Sequence, residues 1–168
     1  MPSPRDEFIS ASRPPPCGPG DEPARVAELI GAARRDIADP IERIFGLLGR
    51  YRQAVVEPGC RDGGGGSAVG DLRVRECRAA SLRAWTDAVL ECLFQADRRF
   101  PDTLDRLSLA EFVVTTMTGA SLQAQVYRDI ACFDRAVREL RSYIELLLYG
   151  RPSLSMPIRQ ALAGLARN

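Results

Sequence analysis

Apolar residues recur along this chain at the three-to-four spacing of an amphipathic helix, and nowhere do they alternate as in a strand. Val26, Leu29, Ile30 and Ala33 fall at i, i+3, i+4 and i+7 in a stretch from Ala24 to about Ala38. Asp39-Pro40 then restarts a helix: Asp39 suits the N-cap, Pro40 the first helical position and Glu42 the third. Ile41, Ile44, Phe45, Leu48, Tyr51 and Val55 make one stripe, which Pro58-Gly59 is expected to end. Residues 57–67, EPGCRDGGGGS, read as a loop. A long helix over about 68–99 carries Leu82, Trp85, Val89, Cys92, Leu93 and Ala96 on one face, and Phe100-Pro101-Asp102 breaks it. Ser108 and Glu111 form a capping box that opens a helix to about Arg128. Leu109, Phe112, Val113, Thr116, Ala120 and Gln123 lie on one of its faces, and Met117, Ser121 and Ala124 on another. Gly119 sits mid-helix, where it costs roughly 1 kcal/mol against Ala, and a close helix–helix approach would account for it.

The clearest pattern lies in 130–149. Ile130, Phe133, Val137, Leu140, Ile144 and Leu147 are spaced three and four apart in turn, as in a seam for a partner helix. Asp129 can cap this helix, and Tyr143, Leu146 and Leu148 widen its apolar surface. Such a helix packs on two sides, one against its own core and the other available to a second subunit. A short, weakly amphipathic helix near 158–167 follows Gly150-Arg151-Pro152. The pattern thus predicts an all-α antiparallel bundle of five main helices and a short sixth. Residues 1–23 hold seven of the twelve prolines and few large apolar residues, so a disordered leader is expected. The chain divides into that leader, a helical domain over 24–149 and an extension over 150–168.

Composition narrows the chemistry. At 168 residues the chain can bury a substantial core, and a net charge of +1 supplies no field for nucleic acid or a polyanionic membrane. Every basic residue is Arg. Without His, there is no imidazole-ligated zinc and no Ser-His-Asp catalysis; without Lys, there is no Schiff base and no phosphate-loop lysine. The run Gly63–Gly66 has no preceding strand and no GxGxxG pattern, which makes it a connector rather than a phosphate cradle. Arg73, Arg75, Arg78 and Arg83 are interleaved with Asp71, Glu76 and Asp87, as on a solvated face. The five cysteines are widely spaced with no CxxC, which fits reduced thiols in a cytoplasmic protein. Cys60 beside Arg61 is the one candidate for a mildly activated thiol; Cys77, Cys92 and Cys132 read as small apolar residues. With no oriented base and no placed carboxylate pair, no catalytic residue, metal or cofactor is expected.

Several runs together resemble a known family. These are Asp39-Pro-Ile-Glu-Arg-Ile-Phe with Tyr51-Arg and Gly59-Cys60, then Ala84-Trp-Thr-Asp-Ala-Val, then Leu109-Ala-Glu-Phe-Val-Val-Thr-Thr-Met-Thr-Gly-Ala-Ser-Leu-Gln-Ala-Gln-Val-Tyr-Arg-Asp, and finally Phe133-Asp-Arg-Ala-Val-Arg-Glu-Leu-Arg-Ser-Tyr. In order and spacing they resemble the effector-binding domain of TetR-family transcriptional regulators over residues 24–149. The resemblance implies an all-helical domain whose last two helices, here 108–128 and 130–149, pair with those of a second copy. It places Gln123, Tyr127, Phe133, Val137, Leu140, Ile144 and Leu147 in that homodimer interface. It also implies a pocket for a small apolar or amphipathic ligand, lined by Phe45, Leu48, Tyr51, Leu82, Trp85, Val89, Phe112, Thr116, Met117 and Ala120. The family's helix-turn-helix needs about 50 residues and three helices, which residues 1–23 do not supply, so DNA contact is expected only through a missing or separate domain. Where relatives carry a Gly-Cys-Pro-Ile-Gly-Asn-Leu type of segment, this chain reads Gly66-Ser-Ala-Val-Gly-Asp-Leu72. An alternative expectation is an interaction module that binds no ligand and heterodimerises with a full-length regulator.

Overall fold

The computed structural model describes residues 22–62 and 72–149, all of whose regular elements are helical. Helix α1 spans Glu22–Asp36 and turns Val26, Ile30 and Ala33 inward. Helix α2 spans Pro40–Tyr51, and Asp39 caps it by accepting from the backbone N–H of Ile41 and Glu42, both at 2.9 Å. Pro58-Gly59 does not end this rod as its composition suggested. The chain runs through one π turn, Arg52–Val56, into helix α3, Glu57–Asp62. Pro58 has no N–H to donate to the preceding turn, and it follows directly on the π turn, where the chain already departs from the regular α ladder. The π turn is closed by the Glu57 N–H donating to the Arg52 carbonyl, which takes in one more residue than an α turn. The apolar stripe is therefore displaced by one position. Val56 is 0% exposed and Val55 37%, so Val56 occupies the inward place that the α spacing assigned to Val55.

Helix α4 spans Leu72–Gln95 and is followed by a 3-10 turn at Asp97–Arg99. Helix α5 spans Arg106–Tyr127, and its cap is Asp105 rather than Ser108. The Asp105 carboxylate accepts from the Ser108 backbone N–H at 3.1 Å and from the Ser108 hydroxyl at 2.7 Å, so Ser108 sits in the first turn. Helix α6 spans Ala131–Tyr149, with Asp129 accepting from the Ala131 N–H at 2.9 Å. The proline-rich leader, the run Gly63–Gly66 and the helix expected near 158–167 lie outside the described residues, apart from Glu22 and Pro23, which already belong to α1.

The result is an all-α bundle. Helix α4 packs on α1, α2 and α5, and α6 closes against α5 while touching α2. Ile44, Leu48, Trp85, Val89, Leu93, Val113 and Met117 fill the centre. The α6 seam belongs to this core. Phe133, Leu140 and Ile144 are 1%, 2% and 0% exposed, so they fill their own bundle and are closed to a second subunit; Val137 and Leu147 are half-buried. Arginine clamps fasten the outside. Arg141 lies 3.8 Å above the Phe45 ring and forks onto Glu42 at 2.9 and 3.1 Å. Arg52 forks onto Asp134 at 2.6 and 3.0 Å, tying the π turn to α6.

Candidate functional site

A cleft of about 690 Å³ opens where α1, the end of α2 with its π turn, α4 and α5 converge. That volume lies within the range of small-molecule sites. Its aromatic part is braced from within. Tyr51 meets Trp85 edge to face at 5.7 Å and 89°, and it stacks on Phe133 at 6.2 Å and 28°. Both cleft-lining aromatics are thereby fixed against the core, and Trp85 is buried. Val26 and Leu29 of α1, Val55 of the π turn, Leu82 of α4 and Leu122 of α5 supply the remaining apolar lining.

The polar groups are few and come chiefly from two helix faces. Arg78, Ser81, Leu82 and Trp85 stand at i, i+3, i+4 and i+7 on α4, and Thr118, Ser121, Leu122 and Gln125 repeat that spacing on α5. Gln125 Nε2 donates to Ser121 Oγ at 3.4 Å. Burial pushes the Tyr51 phenol above its usual range, with the neighbouring Ser121 hydroxyl working the other way, so Tyr51 keeps its proton at neutral pH. Ser81 is 3% exposed, and its Oγ has no hydrogen-bond partner among the described residues. Thr118 has its hydroxyl committed to the carbonyls of Val114 and Thr115 at 3.0 and 3.1 Å. Arg25 donates to the Ala54 carbonyl at 3.0 Å, which ties α1 to the π turn across one edge. Gly59 sets how closely α3 approaches α5: a Cβ there would stand 2.7 Å from Gln125 Nε2.

Of the residues expected to line a pocket, Tyr51, Leu82 and Trp85 do so. Phe45, Leu48, Val89, Met117 and Ala120 are buried in the core. Thr116 is half-buried away from the cleft, and Phe112 is exposed, edge to face with Tyr143 at 5.7 Å. Gln123 and Tyr127 are exposed. The sequence reading passed over Ser81, Leu122 and Gln125 and assigned Arg78 to a solvated face, although their helical spacing was there to be read. They sit beside the apolar stripes rather than on them, so a search for hydrophobic periodicity misses them.

Cys60 lies on α3 rather than in a loop, and its thiol donates to the Ala124 carbonyl at 3.2 Å. Burial pushes the Cys92 thiol up. Among the described residues no group of three or more His, Cys, Asp or Glu side chains could hold a metal ion, and no helix is long and apolar enough to cross a membrane. Comparisons with protein-family models, with curated proteins and with solved structures give no match.

Proposed function

We propose that this chain is a small-molecule-sensing, homodimerising regulatory domain of the TetR type. The observation that carries the sensing half is the cleft itself: four helix segments meet around two braced aromatics and a buried serine hydroxyl with no partner among the described residues. A filled core would have favoured a ligand-free interaction module. A small apolar or amphipathic ligand would bridge α1, α4 and α5, which is the physical route by which binding could bias the position of α1.

The dimerising half rests on a different surface from the α6 seam. Phe112, Val126, Tyr127, Tyr143 and Leu146 are large, apolar and exposed on α5 and α6. Gly119 lies on the outer side of α5, and a Cβ there would meet nothing within 4 Å inside the chain. Among the described residues its lack of a side chain thus serves no contact, and it suits a second copy of α5 approaching closely.

The test is a thermal-shift screen with small apolar and amphipathic compounds, run beside light scattering. At least one compound should raise the melting temperature of the native chain and fail to do so with Leu122→Trp, which fills the cleft from an exposed position. Light scattering should give a dimer. A uniformly negative screen would remove the sensing half, and a monomer the dimerising half.

A further inference from the structure

We infer that the cleft selects an amphipathic monoanion, a carboxylate on an apolar body, with Ser81 as the donor to its head group and Arg78 as its charge partner. The inference rests on the small-molecule reading above and names the ligand class. Three observations lead to it. First, Ser81 lines the cleft as a buried hydroxyl whose Oγ has no partner among the described residues. A serine inside a helix ordinarily satisfies its hydroxyl on the carbonyl one turn back, as Thr86 does with Leu82 at 3.0 Å. Ser81 forgoes that bond, so its O–H remains for a group that enters the cleft.

Second, a further hydroxyl lines the cleft. Tyr51 keeps its proton at neutral pH, so its phenolic O–H can donate to a group that enters there. An acceptor-only head group answers two hydroxyl donors, and a carboxylate is such a group that also carries a single charge.

Third, a guanidinium stands at the mouth. Arg78 lines the cleft from α4. Arg78 has no ion pair or hydrogen bond among the described residues, and it stands one turn before Ser81 on the same face of α4. It is close enough to the Tyr51 phenol to influence its ionisation. The guanidinium, the Ser81 hydroxyl and the Tyr51 phenol thus form the polar end, while Leu29, Leu82 and Trp85 offer the apolar wall.

The experiment compares decanoate, decanol and decylamine, which share one tail and differ in the head group. Binding is read by the emission of Trp85, the chain's one tryptophan, and by calorimetry, below micelle-forming concentrations. Decanoate should bind at least about tenfold more tightly than decanol, as one charge-assisted hydrogen bond gives, with decylamine weakest. Ser81→Ala should weaken decanoate by about tenfold while the melting temperature holds or rises, because the unpartnered hydroxyl is gone. Arg78→Glu, at an exposed site, should reverse the order of decanoate and decylamine. Equal binding of the three in the native chain overturns the anion selection but keeps the cleft as a ligand site. Unchanged decanoate binding in Ser81→Ala overturns the role of Ser81. No response to any of the three, with the thermal-shift screen also negative, overturns the small-molecule reading and this inference with it.

Discussion

Arg128 ends α5 in the left-handed conformation, at φ 52° and ψ 34°, where an L side chain is disfavoured and glycine is at ease. It is held there because the turn closes well: the Asp129 N–H reaches the Ala124 carbonyl at 3.0 Å, and Asp129 then caps α6. Arg128→Gly should therefore stabilise the chain by about 0.5–1 kcal/mol, the relief of the left-handed cost less the extra freedom glycine has when unfolded. The midpoint of urea unfolding measures this, and a lower midpoint would mean that the Arg128 side chain does more than terminate a helix. Ser81 makes the opposite kind of exception. Its buried hydroxyl costs about 1 kcal/mol or more in the free protein, so Ser81→Ala should unfold at higher urea than the native chain.

At the scale of the element, the π turn decides which valine is core. Val56→Ala should cost about 2 kcal/mol and Val55→Ala under about 0.5 kcal/mol, measured by the same unfolding midpoint. A plain α-helix through this segment would give the reverse order. The shift was not legible in the sequence because hydrophobic spacing assumes one helical period, whereas a π turn changes the period only where tertiary contacts hold it. Here the Arg52 fork onto Asp134, 82 positions away, does so. Most of the rest of the bundle, the α5 cap at Asp105 excepted, was legible for the converse reason. Asp39-Pro40 and Asp129 carry capping chemistry within three residues, and that chemistry acts locally. The α6 seam was legible as a packing surface but not as to which partner it meets, since a period of three and four is the same against one's own core or a second chain. The burial of Ile144 and the exposure of Leu146, at 0% and 69%, separate the two. Ile144→Glu should unfold most of the population, because it places an unpaired charge in the core. Leu146→Glu should leave the circular-dichroism melt of the fold in place and convert the proposed dimer to monomer in light scattering. A monomerised but folded Ile144→Glu would mean that α6 meets a second copy through its inner face after all.

At the scale of the whole molecule, stability is set by a core that ignores pH and by arginine clamps that do not. The Arg52 fork holds the Asp134 carboxyl below its ordinary range, and the Arg141 fork does the same for Glu42. Backbone N–H donation, led by that of Glu42, lowers Asp39. A carboxyl lowered on folding contributes stability that is fully present above its unfolded pKa and is lost as pH falls through the folded value. These groups are a third or more exposed, so each contribution is small and screened by salt. With no histidine in the chain, no imidazole titrates near neutrality. The melting temperature should stay level from about pH 8 to about pH 5 and fall below about pH 4.5, where unfolded carboxyls begin to bind protons. Asp134→Asn isolates one clamp within that profile. At pH 7 the variant should melt below the native chain, because the amide gives up the charge-assisted fork to Arg52 that joins the π turn to α6. As the pH drops through the folded Asp134 value the native carboxyl is neutralised too, and the two melting curves should draw together. A gap that stays constant down to pH 2 would mean that the fork contributes through shape rather than charge, and that the π turn is held in phase by packing around Val56 instead.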